Sequence, residues 1–425
     1  MTAGAFAPPS SGGLASERSP SFSLPLRFFL FSTAGYVAAM LAVATTGLDL
    51  AAGGTWTPHL LALTHLLALG FILPMIMGAS YQLVPVVLLA TIRNERLGKL
   101  GFWPYAAGAI AMVAGFWTWT PGLLAVGGAL VAVGLAIFLL TLVRSLARGM
   151  EFGEIACYFF ASLGALSAAA ASGLLRVAGF AGALALPAPP NALTAHAALA
   201  TLGCATLLIY GVAYRLVPMF AVGPENHRLG HPVFFTAGAG VGAIAVGSLE
   251  QSPLAVALGM CASAVAACLW AWDVARLFRQ RTRRKLDVGL TYAAVAIAYL
   301  LAASLVALAL AWGAPGGPRV TLALGLLGLV GWLGFAIVGY FHKILPFLAW
   351  YHRYSHLLGK KKVPLIRELF DERSAWVGFW SSQAGLGVVV VSTLVGLPWG
   401  VAVGGALLLL GALATGRVVW ECLRR

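Results

Sequence analysis

Three stretches of this chain share one pattern. Gly78-x-x-Tyr81-Gln82-Leu83-Val84-Pro85 recurs as Gly211-x-x-Tyr214-Arg215-Leu216-Val217-Pro218, and again as Gly339-x-x-His342-Lys343-Ile344-Leu345-Pro346. The three prolines, Pro85, Pro218 and Pro346, are spaced almost evenly along the chain. A fixed long period constrains a fold more than a local motif does, because each copy must sit in a comparable structural unit. The chain therefore reads as three related units, approximately 24–146, 152–278 and 286–422.

What those units are made of follows from hydropathy. Of the 425 residues 60% are hydrophobic and 9% charged, more apolar surface than a soluble domain of this length can bury. A helix needs about 20 apolar residues to cross a bilayer. Twelve segments qualify: 24–46, 58–89, 101–118, 122–146, 152–178, 191–221, 231–249, 252–278, 286–312, 318–349, 374–395 and 399–422. The expected fold is all-α, a single polytopic membrane domain over 24–425 with twelve transmembrane helices in three pseudo-symmetric units of four. The repeat falls on the second, sixth and tenth helices, which are the long ones. Residues 1–23, rich in Gly, Pro, Ala and Ser, read as a disordered cytoplasmic tail and not as a signal peptide.

The net charge of +14 does not point to nucleic acid, since Lys and Arg sit at helix ends and in short loops. The loops after even-numbered helices carry most of that charge, including Arg93 to Arg96, Arg144 to Arg148, Arg276 to Lys285 and His352 to Arg373. Those after odd-numbered helices, such as Gly182 to Pro190 and Gly313 to Pro318, are nearly uncharged. Under the positive-inside rule both termini are cytoplasmic. His65 and His196 then lie in the outer part of the membrane, and the Tyr/Gln, Tyr/Arg and His/Lys pairs in the inner part. Five cysteines, with no Cys-x-x-Cys pair, suggest neither a disulfide framework nor a zinc site.

Ionisable residues inside a spanning helix are costly unless partnered or employed. His65 and His196 are of this kind, and imidazole is a usual axial ligand of haem. Counted back from the repeat proline, His65 stands at position −20 and His196 at −22. Two helical residues are about 200° of rotation, so the two side chains point to nearly opposite faces of their helices. A cavity between repeat-related helices is lined by opposite faces, as two axial ligands of one haem require. The tenth helix has Leu326 and Leu324 at those positions. Arg176 and Arg319 are basic residues toward the same side, placed either to pair with haem propionates or to snorkel to lipid phosphates. Gly325, Gly328, Gly331 and Gly334 let a helix or a flat ring approach the tenth helix. Gln82, Arg215, His342 and Lys343 either line a polar path or anchor helix ends. His227, His231, His352 and His356 read as interfacial, and Trp56, Trp103, Trp350, Trp376 and Trp399 as an aromatic belt.

Twelve helices in three units, with His65, Pro74-Met75-Ile76-Met77-Gly78 and Leu83-Val84-Pro85 in the second, resemble the heme–copper oxidase subunit I superfamily, which includes nitric oxide reductases. That resemblance is close over the second helix alone and extends to the remainder by helix count and repeat. It implies that His65 ligates a low-spin haem. The family's copper site is not matched: the seventh segment has no histidine in Val233 to Leu249, and the tenth has only His342, near the cytoplasmic end. The expectation is a bacterial inner-membrane protein that binds one haem b and no copper. Its role would be electron transfer, gas sensing or assistance to a respiratory system, not full oxygen reduction. Its partners would be the lipid bilayer and a c-type cytochrome, a quinol or a respiratory subunit. Two alternatives stay open, a transporter for a small solute or metal and a haem-free assembly subunit.

Overall fold

The structure, a computed structural model, describes residues 20–147, 153–180, 192–283 and 285–425. The expected tail lies outside the described residues except for 20–23, and so do Arg148, Arg284 and the loop Gly182 to Pro190. Every regular element among the described residues is a helix. Twelve are long and apolar enough to cross a membrane. They are α1 (Ser23–Thr45), α2 (Pro58–Val87), α3 (Glu95–Trp117), α4 (Pro121–Leu146), α5 (Glu154–Phe180), α6 (Ala192–Ala221), α7 (Gly230–Leu249), α8 (Pro253–Arg279), α9 (Val288–Ala311), α10 (Pro318–Leu357), α11 (Glu372–Val395) and α12 (Pro398–Arg424). Five even-numbered helices open with proline in the first turn: Pro58, Pro121, Pro253, Pro318 and Pro398. Its missing N–H has no intrahelical partner there in any case. Side-chain caps take up other free N–H groups, with Thr57 accepting from Leu60 and Asp287 from Leu290. A short helix, Gly47–Ala52, follows α1 and has no counterpart in the sequence reading.

Helix contacts follow the same order in all three thirds of the chain. α1 packs on α2, α5 on α6 and α9 on α10. α3 packs on α4, α7 on α8 and α11 on α12. The thirds adjoin through α4 with α5, α8 with α9 and α12 with α1.

The long helices are not uniform α-helices, which a reading at 3.6 residues per turn does not anticipate. Each contains a π-helical segment: Leu66–Ile72 in α2, Leu199–Thr206 in α6 and Leu327–Gly334 in α10. All three begin at one fixed distance before the repeat proline (Leu66 before Pro85, Leu199 before Pro218, Leu327 before Pro346). Each also holds a glycine four positions after its first residue, namely Gly70, Gly203 and Gly331.

The glycines explain the π geometry. Gly70 and Gly78 both face α1: a Cβ on Gly78 would meet Phe29 at 2.8 Å, and one on Gly35 of α1 would meet the Gly70 carbonyl oxygen at 2.0 Å. Gly203 and Gly211 likewise meet Ala165 and Tyr158 of α5, and Gly331 and Gly339 meet Tyr299 and Gly289 of α9. Eight α-helical residues would turn about 800°, some 80° past two full turns. A π turn holds more residues per turn and takes up that excess. Both glycines of a pair therefore face one neighbour. Carbonyls displaced from the α pattern find donors next door. The Ser32 hydroxyl donates to the Phe71 carbonyl (2.6 Å) and the Ser162 hydroxyl to the Cys204 carbonyl (2.7 Å). Within a bilayer no water could do this.

Toward the charged-loop end the three long helices face a shared space with matching layers. Ile76, Ile209 and Ile337 stand nine positions before their prolines, and Ala79, Val212 and Tyr340 six before. Leu83, Leu216 and Ile344 stand two before, and all nine side chains line one half-open apolar pocket. Steps of three and four positions are the spacing of a helix seam.

Candidate functional site

The α-helical start of α2 ends at His65, and the π segment opens with the next residue, Leu66. In α6, His196 lies three positions before Leu199. Both histidines stand in plain α-helix ahead of π segments of nearly equal length. The two-residue offset between them keeps its rotation of about 200°. Both side chains are half-buried.

The histidines are prepared in the same way. His65 Nδ1 lies 2.8 Å from the Leu61 carbonyl oxygen, and His196 Nδ1 lies 3.0 Å from that of Ala169 on α5. A carbonyl only accepts, so Nδ1 carries the proton in each ring. Nε2 then keeps its lone pair, the arrangement of a metal-ligating imidazole whose other nitrogen is fixed by a neighbouring acceptor. The Ser172 hydroxyl, 3.0 Å from His196 Nδ1, holds that ring from the side. Phe116 of α3 stacks on His65 at 4.3 Å between ring centroids. The two imidazoles lie within electrostatic reach of each other, and Arg176 within reach of His196.

A small apolar cluster walls this region: Ala62 of α2, Met112 and Phe116 of α3, Leu124 of α4 and Val177 of α5. The histidines therefore sit where the first third of the chain borders the second. Arg176 is half-buried, and its Nε is buried with no hydrogen-bond partner. A guanidinium nitrogen withdrawn from water and unpaired is costly, and an anion beside it would relieve that cost. Arg319 is placed otherwise. Its Nε donates to the Ala51 carbonyl (2.9 Å) and its guanidinium packs over Gly396. It ties α10 to the short helix after α1 and to the end of α11.

The four glycines of α10 divide into two pairs. Gly331 and Gly334 are taken up by contacts with Tyr299 and Phe71, so helix packing accounts for them. A Cβ on Gly325 or Gly328, level with the histidines, would meet no atom within 4 Å. Leu324 and Leu326 occupy the α10 positions equivalent to His196 and His65.

The polar groups toward the charged end are mostly paired with each other. Arg215 pairs with Glu225, and Lys343 with Asp287, which also takes Arg283 (3.3 Å). His342 is buried, with Nδ1 2.8 Å from the Val338 carbonyl, and stacks on Tyr292. His227 bonds to Glu154 (3.0 Å) and stacks on Tyr214. Of the five tryptophans assigned to a belt, Trp56, Trp103 and Trp399 are exposed. Trp350 is partly buried, its indole N–H donating to the Pro364 carbonyl.

Two residues escape sequence reasoning. His59 contacts Asp49 (3.0 Å) and lies against Trp117, next to the Phe116 that covers His65. Asp273 is fully buried and accepts from Arg276 and from the backbone N–H groups of Arg228 and Leu229. A lone Asp inside the apolar run of α8 is the available signal for the second. The first carries no local signal, because its partners belong to other helices.

Among the described residues no three His, Cys, Asp or Glu side chains gather to hold a metal ion. A haem iron asks less of the protein, since its macrocycle supplies the equatorial ligands and two imidazoles complete the set. The chain matches no family model and no curated protein sequence.

Proposed function

We propose that this chain is a multi-pass b-type haem protein with a heme–copper-oxidase-like architecture of three units. His65 and His196 would hold the haem iron and Arg176 would pair with a propionate. One observation carries the reading: two neighbouring intramembrane imidazoles each have Nδ1–H committed to a backbone carbonyl, which leaves both Nε2 atoms free to ligate. The unpaired Nε of Arg176 and the open faces of Gly325 and Gly328 support it. Arg319, engaged with Ala51, takes the lesser part of holding the end of α10.

Haem held in this way supplies a one-electron couple. Held by His65 and His196 together, it would serve electron transfer and not oxygen reduction. Any turnover would be of the oxidoreductase type, with a c-type cytochrome, a quinol or a respiratory subunit as the electron partner. The charge of the loops after even-numbered helices supports a multi-pass protein with both termini in the cytoplasm. The transporter alternative loses its best candidate cluster, because Arg215 and Lys343 already have carboxylate partners.

The test is a reduced-minus-oxidised visible spectrum with a pyridine haemochrome assay on the purified protein, His65→Ala and His196→Ala. A b-type signal in the parent that both variants lose is the expected result. A folded, colourless parent protein would overturn the proposal in favour of a haem-free subunit.

A further inference from the structure

The outward face of α12 changes character along its length. Val403, Leu410, Leu413, Arg417, Trp420 and Arg424 are all exposed, at steps of three, four or seven positions that keep them on one stripe of the helix. The stripe is apolar as far as Leu413, then basic and aromatic to its end. Arg417, Trp420, Glu421, Arg424 and Arg425 line an open crevice at the charged-loop end. Its charges are not balanced. Glu421, the one carboxylate among these residues, accepts from Arg417 Nε (2.9 Å) and from the backbone N–H of Asp371 (2.6 Å). Arg425 reaches away to the Glu368 carbonyl (2.7 Å). Among the described residues no carboxylate pairs with Arg424. A helix C-terminus ordinarily repels anions through its free carbonyls. Here Arg353 of α10 donates to the Leu423 carbonyl (2.8 Å) and the Tyr354 hydroxyl to that of Arg425, which offsets the repulsion.

The other two thirds of the chain lack this set. Counted from the opening prolines, Arg417, Trp420 and Arg424 correspond to Trp272, Ala275 and Arg279 in α8, and to Leu140, Val143 and Ala147 in and just past α4. In α8 the neighbouring Arg276 lies over Trp272 (5.9 Å) and is held by Asp273 (2.8 Å). A general preference for basic helix ends explains any one of these arginines. It does not explain two that bracket an exposed indole above an apolar stripe. Guanidinium groups and an indole N–H only donate, so their ligand is an acceptor, and guanidinium geometry suits phosphate. The apolar stripe below runs along the bilayer, so the same ligand carries acyl chains. With Glu421 engaged, no carboxylate of the crevice is left to receive a headgroup ammonium. We propose that this end of α12 is a binding site for one anionic phospholipid, its phosphate between Arg417 and Arg424 and Trp420 at headgroup level. It goes beyond the haem reading and does not rest on it, since no histidine lines the crevice.

The experiment is native mass spectrometry of the full chain, purified in a neutral detergent and titrated with dioleoyl phosphatidylglycerol or dioleoyl phosphatidylcholine. One phosphatidylglycerol is expected to bind ahead of any other and more tightly than phosphatidylcholine. Arg424→Gln should weaken that first binding about five-fold, the loss expected for one cation at a lipid surface. Trp420→Phe, which keeps a ring and removes the N–H, should weaken it less. Arg279→Gln, at the same position of α8, should leave it unchanged. Equal binding of the two lipids would overturn the proposal. So would equal losses in Arg424→Gln and Arg279→Gln, which mark a diffuse attraction to any basic helix end. Displacement of the lipid by inorganic phosphate, but not by chloride at equal ionic strength, would assign the crevice to the free anion instead. A dimer that binds no lipid would give the stripe to a second copy of the chain and sink the proposal as well.

Discussion

The three long helices are alike on one side of their π segments and unlike on the other. Toward the charged-loop end they share a glycine seven positions before the proline and apolar residues nine and two before. Toward the other end the resemblance stops: α2 has His65, α6 has His196 two positions off register, and α10 has leucines. Features repeated in all three helices belong to the architecture, since one packing problem has been solved three times. Features that break the repeat need another reason, and ligating one group between two of the three helices is such a reason. The π segments mark the boundary. They occur in α10 without a histidine, so their first task is helix packing and the site is built beside them.

The largest effect should come from the broken half. His65→Ala and His196→Ala are each expected to remove the b-type haem signal entirely while leaving a folded protein. A packing role alone would instead leave the spectrum unchanged and lower stability. If one variant keeps full haem, the two histidines do not share an iron and the contrast between the halves must be redrawn.

Asp273→Ala should give the opposite signature. The fully buried carboxylate neutralises Arg276 and caps the start of α7. Removing one partner of a buried pair costs about 3–5 kcal/mol. Denaturant titration of the purified variant should show that loss, with haem per folded molecule unchanged. A variant of normal stability that lacks haem would place Asp273 in the functional half.

Gly35→Ala tests the repeated packing itself. Its new Cβ would stand 2.0 Å from the Gly70 carbonyl oxygen, which belongs to a backbone and cannot swing aside. Overpacking of this kind costs about 1–3 kcal/mol. The same substitution at Gly242 of α7, where a Cβ meets nothing, should leave thermal stability within error. Equal effects at the two sites would mean that glycine position does not distinguish packing from open space.

Much of this contrast could be read in the sequence, because hydropathy and spacing are local properties. The twelve spans, the long second, sixth and tenth helices and the unusual status of His65 and His196 all follow from residue identity along the chain. Gly70, Gly203 and Gly331 were legible too, but only as part of a longer repeat than the Gly-to-Pro pattern suggests. The π segments were not. They arise where two glycines eight positions apart must face one neighbour, and that neighbour is known only once the helices are assembled. The same holds for Arg319. Depth alone put it beside Arg176, whereas its partners Ala51 and Gly396 come from segments distant in the chain. The carbonyls that set both histidine tautomers divide along this line, Leu61 being one turn away and Ala169 on another helix.

The smallest effect concerns the serines that serve the displaced carbonyls. Ser32→Ala and Ser162→Ala each remove one hydroxyl donor, to Phe71 and Cys204, and both acceptors hold the same place relative to their repeat prolines. In α10 the equivalent residue is Trp332, whose carbonyl accepts from the backbone N–H of Phe335. A π segment therefore stands without a serine, and the hydroxyls refine it without creating it. Interhelical side-chain hydrogen bonds in membranes average about 0.6 kcal/mol and reach about 1.7 kcal/mol. Each variant should fall within that range in thermal or denaturant unfolding, by similar amounts, and keep its haem. A loss well above that range in one variant alone would mean that the π segments of α2 and α6 are not equivalent. Loss of haem in Ser162→Ala, which lies on the helix that holds the His196 ring, would move the boundary between architecture and site one helix further into the second third of the chain.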